Sequence, residues 1–493
     1  MTQKQKTLAL LAVLASLAAA IGSYAWFGVY RAGEVEKKAK DQADTLFSFK
    51  KDEVKQLIVT AKGETTTIVR AGKDGWEISS PIKAPAEKLS VDSLVDKLAG
   101  LKRKRVVSNG ADLKEYGLES PRIKIVVTLD SGKTHELDVG DDNPYDGTLF
   151  AKRGGDADIE ICEGGLKYPL EKGLFDLRDK RVFDFDDNAL HRLDVATPAL
   201  AYGLEKGPDG SWKLVAPIQA LADSTKVNQI ASALRNLRAT RFPTEQATVE
   251  DLKRFGLDHP GYTVEITLGK DAPGKNPPGK TLTLSEQKEG GTDHVYAKRG
   301  DEPWIAEAPS TVLKDLGQSV MDLRDKTLLS FKEAEVTGMA FGIQGKAEID
   351  AERQHTAADG GLGLDSWSLV KPTTGAAKRW KLSSLLSSLQ TLKGSSIVAE
   401  SASPGELEGF GLAKPSKTVK VLGPAGRVLA ELLIGKTENN KVYVKSGNSP
   451  RVFGVEAYRL SQLPNDAADL VEAPAAKAAS DGGAAATPTG NLH

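Results

Sequence analysis

The sequence predicts an α+β protein in which an N-terminal transmembrane helix is followed by three tandem repeats of a module built from an antiparallel sheet and helices. Three observations predict it: an uncharged stretch near the start, a short phrase that occurs three times, and an apolar helix face that recurs at one fixed distance from a tryptophan. With 493 residues the chain exceeds what one hydrophobic core organises, so about three domains is the starting expectation.

The uncharged stretch comes first. Thr7 to Tyr30 are 24 residues without a charge, behind Lys4 and Lys6. A helix of this length crosses the roughly 30 Å hydrocarbon core of a bilayer. A cleaved signal peptide is the competing reading, because SLAAA offers small residues of the kind a signal peptidase accepts. Its apolar region would be about 7–15 residues long. This run instead continues through Trp26, Phe27 and Tyr30, aromatics suited to the membrane–water interface. The sequence therefore predicts an uncleaved transmembrane helix at about 7–30 within an anchor and juxtamembrane segment, 1–43. A short basic leader favours an inside N-terminus and an exported body, although Arg31, Lys37, Lys38 and Lys40 blunt that signal. At the other end, 474–493 is rich in Ala, Gly, Ser and Thr and reads as a disordered tail.

Between the two lie the repeats. Trp76, Trp212 and Trp367 begin WEISSPI, WKLVAPI and WSLVKPT, each with a proline five residues on. At 15, 18, 22 and 25 residues beyond each Trp stand Val91, Leu94, Leu98, Leu101; then Val227, Ile230, Leu234, Leu237; then Leu382, Leu385, Leu389, Leu392. These offsets place all four residues on one helix face. The phrase EYGLESP at 115–121 returns as RFGLDHP at 254–260 and GFGLAKP at 409–415. It reads as a helix terminator. Gly117, Gly256 and Gly411 supply the left-handed residue, the leucine after each glycine packs on Leu113, Leu252 or Leu407, and Pro121, Pro260 or Pro415 blocks resumption. Alternating runs such as RIKIVVTL, TVEITL and TVKVL follow and predict half-buried antiparallel strands. Each copy then closes on DLRDK at 176–180, DLRDK at 322–326, or the eroded DLVEA at 469–473. FSFKKDEV, FDFDDNAL and LSFKEAEV mark the module starts, so the modules are 44–181, 182–327 and 328–473.

Chemistry is harder to find. A net charge of -1 gives no general attraction to nucleic acid, and the lone Cys162 excludes an intrachain disulfide. Gly274 to Thr281 spells G-x-x-x-x-G-K-T, but Thr281 opens a strand pattern, so a nucleotide loop is not expected. Lys102-Arg-Lys-Arg105 reads as the solvated end of the long helix. The acidic loop Asp141 to Asp146 lacks EF-hand spacing, and the six histidines show no paired ligand spacing. No catalytic residue, metal ligand or cofactor site is expected. Asp176, Arg178 and Asp179 recur as Asp322, Arg324 and Asp325, and Arg and Asp become Val471 and Glu472 in the third copy. Loss where no successor exists suggests contacts between modules. The tryptophans, in fixed register with the helix, read as core, with stacking on sugars as the alternative.

The order W-x-I/L-x-x-P, aromatic-Gly-Leu-x-x-Pro, the L-x-V-G strand of Leu137 to Gly140 and a late aromatic-x-K strand resembles the bacterial domain-of-unknown-function family 4340, in three copies. Departures are the missing strand glycine of the second module and the loop Glu352 to Leu364 in the third. The resemblance implies a membrane-anchored protein associated with gliding-motility-type ABC transporters. The resulting expectation is a non-enzymatic accessory or scaffold of an ABC-type transporter or cell-envelope complex, with protein partners and neither nucleotide nor nucleic acid. A periplasmic glycan- or peptidoglycan-binding protein is the alternative, and an enzyme with a site between modules the next.

Overall fold

Alternating burial along the chain assembles three antiparallel sheets among the described residues, each of nine strands in the same spatial order. The computed structural model describes residues 44–472 apart from 108–111, 164, 270–278 and 355–364, together with Ala15, Ser16, Ser23 and Trp26. The first sheet comprises β1 (Val54–Ala61), β2 (Glu64–Ala71), β3 (Gly75–Ser80), β4 (Ala84–Pro85), β5 (Arg103–Val107), β6 (Ile123–Leu129), β7 (Thr134–Asp142), β8 (Leu149–Arg153) and β9 (Ile159–Cys162). Their order across the sheet is β4-β3-β2-β1-β6-β7-β8-β9-β5. Two meanders thus meet at β1 and β6, where Leu57 faces Val127 and Val59 faces Ile125. The second sheet runs from Leu190–Ala196 to Ile305–Ala308, and the third from Gly338–Ile343 to Val452–Glu456.

Helix α1 (Lys88–Ala99) lies between β4 and β5, so it carries the chain from one edge of the sheet to the other. It buries Val91, Leu94, Val95 and Leu98, which share a core with Leu57, Val59, Ile68, Ile78, Ile125 and Val127. Each such side chain contributes on the order of 2 kcal/mol when removed from water, which outweighs any difference in helix propensity along the segment. Helices α2 (Ser224–Arg235) and α3 (Arg379–Gln390) recur at the same place in chain order, with Val227, Ile230, Leu234 and Leu237, and Leu382, Leu385, Leu389 and Leu392, buried. By contact the chain separates into two compact units. One runs to Ala189 and includes Ser232–Lys314; the other joins Leu190–Ala231 to the chain from Asp315.

The recurring terminator ends a short helix in each copy: Leu113–Tyr116, Val249–Arg254 and Pro404–Gly409. Gly117, Gly256 and Gly411 have φ of +67°, +66° and +71°. Leu118 N donates to Leu113 O at 2.8 Å, and the matching bonds are Leu257 to Leu252 at 2.7 Å and Leu412 to Leu407 at 2.8 Å. These are the bonds of a Schellman ending. Pro121, Pro260 and Pro415 follow each ending. The peptide bonds before Pro81, Pro217 and Pro372, five residues after each Trp, are all cis.

A second glycine position explains a difference between the sheets. A Cβ on Gly140 would lie 2.0 Å from Tyr116 O, and one on Gly435 would lie 2.2 Å from Phe410 O. At both points the ladder to the next strand breaks register, between Val139 and Asp142 and between Ile434 and Thr437. The second copy has Ser285 here and pairs without interruption from Leu282 to Glu289. The glycine therefore marks a bulge that presses strand against terminator.

The predicted fold class needs correction on two counts. The protein is mostly β, not α+β: each nine-stranded sheet carries a single 12-residue helix. Where each copy closes, the helix is one turn, Leu174–Leu177 or Val320–Leu323, and a 3-10 turn, Ala467–Asp469, in the third copy. Caps and paired charges record that a helix ends, not how long it has run. The transmembrane helix is likewise not supported. Among the described residues no helix is long and apolar enough to cross a membrane. The stretch 7–30 lies outside the described residues except at Ala15, Ser16, Ser23 and Trp26, and 474–493 lies wholly outside them.

Gly435→Ala is expected to lower stability by about 2 kcal/mol, because a packed carbonyl must move, whereas Ser285→Gly should change it by less than about 1 kcal/mol. Thermal denaturation of the two variants beside the parent checks the contrast.

Candidate functional site

The segments connecting successive repeats are hydrogen-bonded on both sides. In the first unit Arg178 bridges to Ala86, and Arg181 to Arg238. Glu87 N donates to Leu177 O at 2.8 Å, Val182 N to Leu237 O at 2.9 Å and Ala239 N to Lys180 O at 2.8 Å. In the second unit Arg324 bridges to Ala222, and Thr327 to Lys393. There Asp223 N donates to Leu323 O at 2.8 Å, Leu328 N to Leu392 O at 3.1 Å and Gly394 N to Lys326 O at 2.9 Å.

Two ion pairs lie at each junction. Arg178 is 3% exposed, pairs with Glu245 and stacks 3.3 Å from the centroid of the Phe242 ring. Arg238 pairs with Glu87, which stands at the N-cap position of α1. At the second junction Arg324, 5% exposed, takes both oxygens of Glu400, with Nη2–Oε2 at 2.8 Å. Arg451 Nε reaches the same carboxylate at 3.1 Å. Lys393 Nζ donates to Asp223 Oδ2 at 2.8 Å. Burial pulls the Arg178 guanidinium below its ordinary value, and Glu245 opposes that shift. A guanidinium taken out of water is tolerated only with such a partner.

The side chains of the four sequence-predicted aspartates bond within their own repeats or within the connecting segments. Asp176 accepts from Lys62 Nζ at 2.7 Å and Gly173 N at 3.1 Å. Asp179 holds Arg181, with Nε–Oδ2 at 2.8 Å. Asp322 accepts from Ser319 Oγ at 2.6 Å, and Asp325 from Thr327 N at 2.9 Å. The acceptors that receive Arg178 and Arg324 escaped the sequence reading, although Glu245 and Glu400 each stand ten residues before the terminator aromatic. So did the second pair, in which the acid stands 11 and the cation 26 residues beyond the Trp.

A cleft of about 430 Å³ opens beside Arg178 in the first unit, lined among others by Pro81, Pro85, Arg181, Arg299 and Trp304. Its guanidinium groups are engaged with carboxylates: Arg178 with Glu245, Arg181 with Asp179 and with Asp184 at 2.8 Å, and Arg299 with Asp301 at 2.6 Å. Carboxylates so paired hold the arginines in place.

Trp76, Trp212 and Trp367 are each 4% exposed. A cation from the neighbouring strand covers each ring: Arg70 at 3.8 Å, Lys206 at 6.0 Å and Arg353 at 5.9 Å. Trp76 Nε1 donates to Asp92 at 2.8 Å, and Trp367 Nε1 to Ser383 at 3.3 Å. Rings in this state are not presented for stacking on a sugar.

Of the remaining motifs, Gly279, Lys280 and Thr281 open a strand, Gly279–Glu289, where a phosphate loop requires a helix. Gly274 to Pro278 lie outside the described residues. Arg103, Lys104 and Arg105 do not cap a helix but sit on edge strand β5. There charge discourages edge-to-edge pairing. In the acidic loop Asp142 pairs with Arg122 at 3.0 Å, and Asp146 accepts from Thr148 Oγ1 at 2.6 Å. Among the described residues no group of three His, Cys, Asp or Glu is placed to hold a metal. Cys162 is buried, and burial pushes its thiol up to about 12.

The threefold repetition extends to a family comparison. The model of the family described as Domain of unknown function (DUF4340) matches residues 76–248, 212–361 and 367–480. The chain belongs to this family. The three matched regions correspond to three tandem DUF4340 copies. No curated protein matches the chain. Among solved structures, a DNA polymerase sliding clamp from Pseudomonas aeruginosa, crystallised with ligand, is similar at 9% identity over 84% of this chain and 94% of that chain. The TM-score is 0.13, and this likeness carries no argument.

In this DUF4340 chain Glu245→Ala leaves a buried, unpaired Arg178. The expected loss is about 2 kcal/mol, discounted because Glu245 is partly exposed, and Arg178→Met combined with Glu245→Leu should recover most of it. Denaturant titration of the two variants tests this.

The second junction carries a pH dependence of definite sign. The Arg324 hydrogen bond holds the Glu400 carboxyl below its usual range. Burial raises Asp223, but Lys393 and the backbone N–H groups of Thr225 and Lys226 outweigh it and leave this carboxyl low as well. Stabilisation from carboxyls so depressed is present above the unfolded value of about 4 and lost as pH falls through the folded values. The melting temperature should therefore fall below about pH 4. Asp223→Asn with Glu400→Gln should flatten that fall.

Proposed function

We propose that the protein is a non-enzymatic accessory or scaffold component of an ABC-type transporter or cell-envelope complex, working on the extracytoplasmic side of the bacterial inner membrane. The observation that carries this reading is the use made of its recurring charged residues. Arg178 and Arg324 are spent joining one repeat to the next, so the chain's repeated chemistry builds surface for protein partners. The class of partner is the one that the family resemblance implies, a gliding-motility-type ABC transporter. The competing glycan-binding reading needs its repeated aromatics in solvent, and the three tryptophans are buried.

Mild crosslinking in membranes of the tagged full-length protein, followed by pull-down and mass spectrometry, tests the proposal. Recovery of transporter permease or ATPase subunits is the expected result. Recovery of cell-wall glycan alone, or of no partner, overturns it.

A further inference from the structure

Three bonded positions can be followed through all copies. The residue bridged to the alanine before each long helix is Arg178, Arg324 and then Val471, opposite Ala86, Ala222 and Ala377. The residue after that alanine is Glu87, Asp223 and then Lys378, whose N–H groups bond to Leu177, Leu323 and Leu470. The cation beyond each long helix is Lys102, Arg238 and Lys393, bridged to Thr45, Arg181 and Thr327. At both internal junctions the acid of one repeat meets the cation of the next, as Glu87 with Arg238 and Asp223 with Lys393. The third repeat breaks the pattern twice: an arginine becomes valine, and an acid becomes lysine.

The dipole of the helix does not ask for the second change. Glu87 and Lys378 occupy the N-cap positions of α1 and α3, where an acid complements the dipole and a cation opposes it. Lys378 Nζ instead turns to the carbonyl of Asp469 in its own repeat, at 3.3 Å, as does Lys381 Nζ.

We propose that Lys378 and Val471 close the array, making the outer face of the third repeat refuse a further repeat. The excluded partner is a second copy of this chain, added head to tail. Its first repeat brings Lys102 to the place where Arg238 and Lys393 stand. Lysine would then meet lysine, and neither Val471 nor Val106, which stands in the first repeat where Glu245 and Glu400 stand, would supply an ion pair to offset it. Like charges brought together at a forming interface suppress that pairing, and the internal repeats escape this because an acid occupies the same place.

The test moves the terminal chemistry inward in the full-length chain. Glu87→Lys copies Lys378, and Arg178→Val separately copies Val471. Each is expected to open the first junction, seen as cleavage of the connecting segment near Lys180 about tenfold faster in limited proteolysis. Adding Arg238→Glu to Glu87→Lys recreates an opposite-charge pair and should restore the parent's protection. Sedimentation of the parent should show no open-ended growth with concentration. The proposal is overturned if Glu87→Lys and Arg178→Val leave the segment as protected as in the parent, if Arg238→Glu fails to rescue, or if the parent grows head to tail in a salt-sensitive manner.

Discussion

Each repeat depends on one constraint: the chain must travel from the β4 edge of a nine-stranded sheet to the β5 edge, and a single helix makes the journey. Its apolar stripe is therefore the lid of the core as well as the connection. Val91, Leu94 and Leu98 are wholly buried, and the strands beneath expose alternate residues on the opposite face, as in β6 with Lys124. The short elements follow from this arrangement. Once the helix has crossed, the chain needs only one capped turn to reverse into β6, and one more turn before it leaves the repeat.

Much of this was legible because it is periodic. Four apolar residues at offsets of 15, 18, 22 and 25 from a tryptophan name a helix face, and the structure buries them. Aromatic-Gly-Leu names a Schellman ending, and the bonds from Leu118, Leu257 and Leu412 supply it. What misled was weight. A cap is as clear on the four residues Leu113–Tyr116 as on a long helix, so counting helix signals overstated helix content. Edge strands such as β5, which opens on the consecutive basic residues Arg103, Lys104 and Arg105, resemble a solvated helix end when nothing reports their partner. Glu245 and Glu400 were hidden for another reason. Ion pairs between repeats join positions 67 and 76 residues apart, and local pattern carries no trace of such distances.

The junctions combine a hydrogen-bonded backbone with one guanidinium each, Arg178 and Arg324, that is nearly removed from water. Interfaces between domains of one chain are commonly polar, and polar ones recognise as well as adhere. A buried guanidinium tolerates little besides its carboxylate. Phe242 beneath Arg178 adds a flat surface that fits a planar cation and would fit an ammonium less well. The second junction reaches the same end by another route, with Arg451 sharing the carboxylate of Glu400. Shared geometry with varied supporting cast is what duplication followed by independent drift would leave.

The doubly bonded connecting segment also has a mechanical meaning. An extended chain has almost no length in reserve, about 3.3 Å per residue being close to its limit. At each junction the segment is bonded behind to one repeat and ahead to the next, so tension applied along the backbone finds no slack to draw out. It is carried at once by ladder hydrogen bonds and guanidinium–carboxylate pairs. A pull on one repeat is thereby felt by its neighbour without delay, the behaviour of a strut and not of a tether.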